Sequence, residues 1–267
     1  MTEPLLFSVE QRIATLTLNR PDRRNAFNTE MIDLWAEALA ECHRRQDIRV
    51  VIVTGAGSAF CAGGDIEEMR QRLDSPPLSQ KRFLERIHRI PLTLAAMDKP
   101  VIAAVNGSAT GAGMDMALMC DIRFASLNAR FAEPYVRMGL VPGDGGAYFL
   151  PRIVGVAKAL ELLWTGDFID AREAERLGIV NRVLPENELL PYTREFAERL
   201  ARGPEVAIRL IKRAVYQSLD LDLRTSLDLI SSHMAVVTAT SDHHEAVQAF
   251  LEKRQPRFEG SRDDSTQ

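Results

Sequence analysis

The sequence predicts a mixed α/β protein with a helical C-terminal part. Two short apolar runs, residues 50–53 and 101–105, have the composition of strands that are buried on both faces. Each run leads into a glycine-rich turn that opens a helix, and most of the chain beyond Asn187 has helical periodicity. We therefore expect an α/β core over residues 1–202, followed by a helical region over residues 203–267.

Composition and charge exclude several classes of protein. The chain has 267 residues and a net charge of −4, so it lacks the basic surface that nucleic-acid binding requires. Its three cysteines, Cys42, Cys61 and Cys120, are odd in number and widely spaced, which argues against a disulfide framework and a zinc site. Neither a secretory signal nor an apolar run long enough to cross a bilayer is evident. We expect a cytoplasmic protein with no nucleic-acid or membrane partner.

The first half of the chain contains strand and helix patterns in alternation. Residues 5–10 and 12–18 predict a strand pair, and a turn of Asn, Pro and Asp ends it. A helix is expected from Thr29, with Asn28 or Thr29 as its N-cap and an apolar stripe at helical spacing. Residues 73–79 predict a loop, and 83–97 a helix. We expect His43 and His88, on these helical stretches, to lie at the surface.

The second half predicts one further strand and then helices. Residues 120–125 have a strand pattern, whereas residues 129–146 are expected to be irregular. Asp170 and Glu173 predict a capping-box helix that ends at Gly178. Pro204 is expected at the first position of a helix, and two more helices are predicted over residues 223–237 and 242–254.

The two glycine-rich turns are candidates for binding an anion or a developing oxyanion. One follows the strand at 50–53 and ends in Asp65, and the other, residues 107–113, precedes Asp115. Each places free backbone N–H groups at a helix N-terminus, and glycine allows close approach to the backbone. Two such turns on neighbouring strands can direct two N–H groups at one oxygen, which stabilises an enolate. The alternative is that the glycines only allow helix and sheet to pack.

Several common motifs are absent. The dinucleotide fingerprint that begins at Gly55 and Gly57 lacks its third glycine, because position 60 is Phe. The sequence has neither a phosphate-binding loop with lysine nor a serine nucleophile elbow. His243 and His244 are adjacent, so on a helix they point apart and make a poor metal pair.

Several motifs in order along the chain together resemble the crotonase (enoyl-CoA hydratase/isomerase) superfamily. They cover essentially the whole length: N-R-P-D-R-R-N-A-F at 19–27, F-C-A-G-G-D-I at 60–66, V-N-G-S-A-T-G-A-G-M-D-M-A-L-M-C-D-I at 105–122, G-L-V-P-G-D-G-G at 139–146, T-G-D-F-I-D-A-R-E-A-E-R-L-G-I-V-N-R-V at 165–183 and E-A-V-Q-A-F-L-E-K-R at 245–254. The resemblance implies a crotonase-like spiral of β-β-α turns. It further implies that the C-terminal helical region forms a homotrimer, or a hexamer made of two trimers.

The resemblance also implies an acyl-CoA substrate, with coenzyme A as part of that substrate, no separate cofactor and no metal. By motif position, the two N–H groups that stabilise a thioester enolate belong to Gly64 and Ala112. Phe250 and Lys253 match positions that reach the CoA site of the same or a neighbouring subunit. The positions that the resemblance assigns to CoA binding are Arg24, Ala26, Ala62, Asp65, Ile66, Phe250 and Lys253.

The chain departs from the hydratases of this superfamily at the catalytic acids. Efficient hydratases carry two glutamates, and the matching positions here are Asp115 and Tyr135. A tyrosine hydroxyl, with an ordinary pKa of about 10, is not a ready base at neutral pH. Asp144 lies close to where some isomerases of the superfamily keep a single acid. Asp115 and Asp144 are therefore the candidate acid/base residues, and Glu133 is a weaker one.

The reaction type follows from the number of acids. Hydration needs one group to activate water and another to deliver a proton, whereas shifting a double bond needs a single base. Tyr135 therefore favours double-bond isomerisation, and hydration by two aspartates is the alternative. A third possibility is an acyl-CoA-binding homologue with little or no catalysis. Structural explanations also exist: Asp144 as a turn residue, Asp115 as a helix-dipole partner, and Asp65 and Asp121 as caps or strand-end contacts.

Overall fold

A computed structural model describes residues 3–258 of the chain. Within them, strands and helices alternate up to residue 184, and only helices follow. The strands are β1 (Leu5–Glu10), β2 (Ile13–Leu18), β3 (Val50–Gly55), β4 (Ala59–Cys61), β5 (Val101–Val105), β6 (Ser108–Thr110), β7 (Ile122–Ser126), β8 (Arg130–Ala132), β9 (Ile169–Asp170) and β10 (Arg182–Leu184). The helices are α1 (Thr29–Arg44), α2 (Ile66–Gln71), α3 (Pro77–Ala96), α4 (Ala112–Leu118), α5 (Gly146–Val154), α6 (Val156–Thr165), α7 (Ala171–Arg176), α8 (Glu186–Ala201), α9 (Glu205–Ser218), α10 (Leu223–Thr238) and α11 (Ser241–Leu251).

The strands form two sheets that the chain visits in turn. The larger sheet has the order β1-β2-β3-β5-β7-β10, and the smaller has the order β4-β6-β8-β9. Pairing is parallel except between β1 and β2 and between β8 and β9. Successive units therefore run from a strand of the larger sheet to a strand of the smaller one and then to a helix: β3-β4-α2, β5-β6-α4 and β7-β8-α5. This is the spiral of β-β-α turns that the resemblance implies.

The larger sheet is buried on both faces, which explains its nearly continuous apolar strands. In β5, Val101, Ala103 and Val105 belong to the main core, whereas Ile102 and Ala104 face a second cluster that includes residues of α8. Every residue of β5 is buried. The pattern at residues 101–105 therefore predicts this strand and its environment correctly.

Side-chain caps fix the starts of several helices as the sequence predicts. The Asn28 side chain accepts a hydrogen bond from the Met31 N–H at the start of α1, and Asp170 accepts from the Glu173 N–H at α7. Asp65 caps α2 by accepting from the amides of Glu67 and Glu68. Asp121 accepts from the Val101 N–H and pairs with Lys212 at 2.8 Å. The structural explanations for Asp65 and Asp121 are thus supported by their contacts.

Four sequence-based expectations are wrong in detail. The glycine-rich turn at 107–113 contains the short strand β6. Residues 129–146 are not wholly irregular, since they include β8 and a 3-10 turn at Pro134–Met138. The loop predicted at 73–79 ends early because Pro77 is the first residue of α3, a position where its missing N–H costs nothing. Pro204 is the N-cap of α9 and not its first residue.

The C-terminal helices α9, α10 and α11 contain few buried side chains. α9 contains none, and Ser226 is the buried residue of α10. The boundary at residue 203 stays a prediction. The last part of the predicted helical region, residues 259–267, lies outside the described residues. In the part of the chain that the structure covers, none of the helices combines the length and apolar character needed to cross a membrane.

Candidate active site

A largely apolar cavity of about 500 Å³ opens where the two glycine-rich turns meet α3 and the segment after β8. Apolar side chains from several elements line it: Phe27, Met69, Phe83, Leu84, Ile87 and Leu140. Gly64, Ala112, Tyr135 and Asp144 also line it. The cavity therefore combines an apolar wall with a small number of polar groups, the usual composition of a ligand site.

Gly64 and Ala112, the two residues whose amides the resemblance assigns to an oxyanion, both line this cavity. Ala112 is the first residue of α4, so its amide has no partner within the helix. Among the residues described, neither amide donates a hydrogen bond. The turns that bear them are in contact, since a Cβ added to Gly63 would lie 3.6 Å from the Ala112 nitrogen. Backbone amides with no partner in the protein are donors available to an anionic oxygen.

Asp144 reaches the cavity from a glycine-rich loop before α5. Its side chain is 5% exposed, and the loop continues into Gly145, whose φ of +127° favours glycine. At Gly146 an added Cβ would lie 2.2 Å from Oδ1 of Asp115, so only glycine lets α5 start this close to that carboxyl. The two glycines thus bring Asp144 to the side of the cavity and Asp115 behind it.

Tyr135 lies between the two aspartates. Its hydroxyl oxygen is 2.6 Å from Oδ2 of Asp115 and 3.0 Å from Oδ2 of Asp144. Asp115 is fully buried and does not line the cavity, whereas Tyr135 does. The structure therefore brings the two predicted acids together, but only Asp144 faces the space where a ligand fits. The sequence departure at Tyr135 marks this residue as unusual without revealing that it bridges the aspartates.

Burial dominates the titration of these groups. It raises the pKa of both Asp115 and Asp144, and a hydrogen bond from Tyr135 lowers each pKa in part. The charge on Asp144 raises the pKa of Asp115 further. Burial and the neighbouring carboxylates hold the pKa of Tyr135 well above its ordinary value. Tyr135 is therefore a neutral hydrogen-bonding group at neutral pH.

Glu133 is the third buried carboxyl near Asp115. It is fully buried, does not line the cavity, and makes no hydrogen bond of good geometry through either oxygen. Burial first, and then the charge on Asp115, raise its pKa well above the ordinary value. Burial therefore favours the neutral form of Glu133, and the structure places this residue away from the cavity.

His88 is not the simple surface residue that the helical pattern suggests. It is half-buried on α3, and its Nε2 lies 2.8 Å from the carbonyl oxygen of Gly143. The available signal in the sequence is that His88 lies one helical turn after Leu84, so the two side chains share a face of α3. A polar residue on an otherwise apolar helix face indicates a specific partner.

Five of the residues that the resemblance assigns to CoA form one rim. The Ala62 amide donates to the Arg24 carbonyl at 3.0 Å, and the Ala26 carbonyl accepts from Arg20. Arg20 also pairs with Asp65 at 2.8 Å, which ties this loop to α2. Ala62, Asp65 and Ile66 line the cavity, whereas Arg24 lies exposed beside it.

Phe250 and Lys253 lie elsewhere in the chain. Phe250 is 83% exposed near the end of α11, and neither residue lines the cavity. Their assignment to a CoA site of a neighbouring subunit stays a prediction. Within residues 3–258, no group of three or more His, Cys, Asp or Glu side chains is arranged to hold a metal ion. The three cysteines are free and buried.

Comparisons with known proteins identify the family. The family model for enoyl-CoA hydratase/isomerase matches residues 8–261. The 1,2-epoxyphenylacetyl-CoA isomerase of Escherichia coli is 38% identical, over 97% of this chain and 100% of that protein. The crotonyl-CoA hydratase of Syntrophomonas wolfei is 37% identical, over 96% of this chain and 98% of that protein.

Solved structures give the same result. A crystal structure of an enoyl-CoA hydratase subunit from Geobacillus kaustophilus superimposes with a TM-score of 0.90 at 38% identity and covers 97% of this chain and 100% of that one. Family model, relatives and fold extend over nearly the whole chain. The protein therefore belongs to the enoyl-CoA hydratase/isomerase family of the crotonase superfamily, a family of lyases and isomerases.

Proposed function

We propose that the protein is an enoyl-CoA isomerase that uses Asp144 as its acid/base residue. The observation that supports this most strongly is the position of the three buried carboxyls around Tyr135. Asp144 lines the cavity together with Gly64 and Ala112, whereas Asp115 and Glu133 do not. A single carboxyl that faces the cavity is sufficient for moving a proton between two carbons. Hydration needs a second group, which activates the water.

The proposed reaction begins with the thioester. Its carbonyl oxygen accepts hydrogen bonds from the Gly64 and Ala112 amides, which stabilise the negative charge that gathers there when a proton leaves. The Asp144 carboxylate removes a proton from C2 of a 3-enoyl-CoA, and the electrons of that C–H bond form a dienolate. Protonated Asp144 returns the proton to C4, and the double bond moves to C2–C3. No net proton, electron or water is gained or lost.

Tyr135 and Asp115 support this role through contact with Asp144. A hydroxyl carries a single proton, so Tyr135 can donate to only one of its two carboxyl neighbours at a time. When Asp144 is charged, it can accept a hydrogen bond from the Tyr135 hydroxyl. When Asp144 is protonated, it can donate a hydrogen bond to the tyrosine oxygen, while Tyr135 donates one to Asp115. The hydroxyl therefore suits both protonation states of the base.

The substrate's CoA part is proposed to lie on the rim formed by Arg24, Ala26, Ala62, Asp65 and Ile66, next to the amide pair. The acyl part would then extend along the apolar wall of α3. The name of the Escherichia coli relative, an isomerase of a CoA thioester, is consistent with this assignment. The named hydratases among the relatives make hydration the second outcome to test.

We also propose that the chain forms a trimer or a hexamer through its C-terminal helices. Ile211 of α9, Leu223 of α10, and Phe250 and Leu251 of α11 are 63%, 75%, 83% and 68% exposed. Large exposed apolar side chains on three consecutive helices are typical of a protein–protein interface. Sedimentation equilibrium would test this: a trimeric or hexameric mass is expected, and a monomer would contradict it.

The test of function is a pair of activity assays with a matched pair of variants. Conjugation of 3-enoyl-CoA to 2-enoyl-CoA is followed by ultraviolet absorbance, and loss of the conjugated thioester reports hydration. We expect isomerisation to be the faster reaction, and Asp144→Asn to lower its kcat by about 10²-fold or more, the usual contribution of an acid/base group. Asp115→Asn should cost less, because Asp115 acts through Tyr135. Fast hydration without isomerisation, or an active Asp144→Asn variant, would overturn the proposal; acyl-CoA binding without any turnover would favour a non-catalytic homologue.

A further inference from the structure

His88 contacts the loop that carries Asp144 but takes no part in the chemistry described so far. Its Nε2 lies 2.8 Å from the Gly143 carbonyl oxygen, and because a carbonyl only accepts, the imidazole nitrogen must donate. We propose that His88 is a positioning residue that holds the peptide bond between Gly143 and Asp144 in place, and with it the carboxyl of Asp144. The inference rests on the proposed role of Asp144 as the acid/base.

The loop has few other restraints. Residues 141–144 belong to neither a helix nor a strand. Residues 143–145 form a turn, and the hydrogen bond that His88 donates joins this turn to α3. The Asp144 side chain is held separately by Tyr135, through a contact of 3.0 Å. A carboxyl fixed at its tip but not at its backbone can pivot, so the histidine supplies the second fixed point.

His88 also links this loop to the apolar wall of the cavity. Phe83, Leu84 and Ile87 of α3 line the cavity, and His88 follows them on the same helix. Gly143 packs against this helix, since a Cβ added to it would lie 3.5 Å from Cδ2 of Leu84. Helix α3 therefore forms the wall proposed to bind the acyl chain. Through His88, it also holds the loop of the carboxyl proposed to move the proton. Binding energy from the acyl chain can then be used to orient the base.

The charges around Asp144 make the role of His88 measurable. Tyr135, Asp115 and Glu133 face Asp144 from one side, with the buried thiol of Cys61 nearby. His88 approaches from α3, and its protonated form lowers the pKa of Asp144. Removing the imidazole should therefore raise the pKa of Asp144, whatever happens to the loop. Position and charge can be separated by a substitution that keeps the donor and loses the charge.

The experiment compares His88→Ala with His88→Gln, and uses His43→Ala as control. Glutamine places an N–H donor near the position of Nε2 without a titratable charge. His43 is exposed in the last turn of α1, away from the cavity. For His88→Ala we expect kcat to fall by about 10- to 100-fold, because a base misplaced by about 1 Å loses up to that factor. KM should stay within about threefold, because the substrate-binding groups are unchanged.

His88→Gln should recover most of kcat, while the acid limb of its pH profile moves to higher pH as in His88→Ala. His43→Ala should match the wild type in both. A His88→Ala variant with wild-type kcat would overturn the proposal, and so would a His88→Gln variant as slow as His88→Ala. Should His88→Ala fail to fold, as judged by thermal melting, His88→Asn replaces it, since its shorter amide does not reach Gly143.

Crystal structures of the same variants give a readout that needs no turnover. In His88→Ala we expect the distance between Asp144 Oδ2 and Tyr135 Oη to exceed about 3.5 Å, beyond hydrogen-bond range. In His88→Gln it should stay as in the wild type. If the wild type isomerises no enoyl-CoA but Asp144 moves in His88→Ala, the positioning role stands and the proposed function fails. An unmoved Asp144 in His88→Ala overturns the positioning role itself.

Discussion

The hydroxyl oxygen of Tyr135 lies 3.0 Å from Oδ2 of Asp144, and the same oxygen is 2.6 Å from Oδ2 of Asp115. Both carboxyls are buried, so keeping both charged would be unfavourable, and the single proton of the hydroxyl cannot satisfy both. A charge on Asp144 raises the pKa of Asp115, so the two carboxyls titrate together. The pair with its bridging hydroxyl acts as one titrating unit with a single face toward the cavity, that of Asp144.

The pH dependence of activity should show the raised pKa of Asp144. Proton abstraction needs the charged carboxylate, so the rate falls as the pH drops through this pKa. Because burial raises the pKa, the fall should occur at higher pH than the value of about 3.9 for an ordinary aspartate. The measurement is kcat/KM for isomerisation against pH. A profile that stays flat down to that ordinary value would contradict the assignment.

Tyr135→Phe should move the acid limb of this pH profile, where the rate falls, further toward high pH. Burial raises the pKa of Asp144 and the hydrogen bond from Tyr135 lowers it, so removing the hydroxyl should raise this pKa further. At neutral pH we expect kcat/KM to fall about tenfold or more, in the range of a lost acid/base partner. Tyr148→Phe, which removes an exposed hydroxyl outside the cavity, is the control and should leave the profile unchanged. A limb at unchanged pH in Tyr135→Phe would show that the hydroxyl does not act on the base.

Ala112→Pro tests the pair of amides. Proline has no N–H, and the first position of a helix is where its ring is best tolerated, so α4 should still form. We expect kcat to fall by about 10²- to 10³-fold, the usual effect of losing one oxyanion donor. Ala112→Gly keeps the N–H and should remain within about tenfold of the wild type. Equal losses in both variants, measured by the isomerisation assay, would argue against the amide as a donor.

Glu133→Gln should stabilise the protein at alkaline pH. A folded-state pKa above the unfolded value means that the carboxyl contributes stability at low pH and loses it as the pH rises through the folded pKa. The amide does not titrate, so the Tm of the variant should exceed that of the wild type increasingly as the pH rises above about 4.3, the ordinary pKa of a glutamate. We expect a difference of roughly 2–4 °C for each kcal/mol involved.

Thermal melting across this pH range measures the effect. Exposed Glu195, replaced in Glu195→Gln, is the control and should leave the pH dependence of Tm unchanged. Parallel Tm curves for the wild type and Glu133→Gln would show that Glu133 does not carry an unfavourable buried charge at high pH.

Sequence patterns predict those parts of the fold in which one segment determines its own structure. The apolar run of β5 and the stripe and Asn28 cap of α1 are local, so they appear at the expected residues. The third turn of the spiral is not predicted, because β8 has three residues and α5 begins with glycine, a poor helix former. Such short pieces are fixed by pairing with β6 and β9, which no local pattern records.

The candidate site divides in the same way. Motif position predicts Gly64, Ala112 and Asp144, all of which line the cavity. The relation of Asp115 to the cavity depends on Tyr135, which comes from a segment 20 residues away. The contact of His88 spans 55 residues. The first depends on how α4 meets the turn after β8, and the second on how α3 meets the loop before α5.

A crystal structure with a bound saturated acyl-CoA would test the proposed site most directly. The thioester oxygen should lie about 2.7–3.1 Å from the amide nitrogens of both Gly64 and Ala112. The Asp144 carboxyl should lie within about 3–3.5 Å of C2 or C4 of the acyl chain, closer than any other carboxyl. A thioester oxygen bound away from these amides, or Asp115 as the carboxyl nearest those carbons, would contradict the proposal.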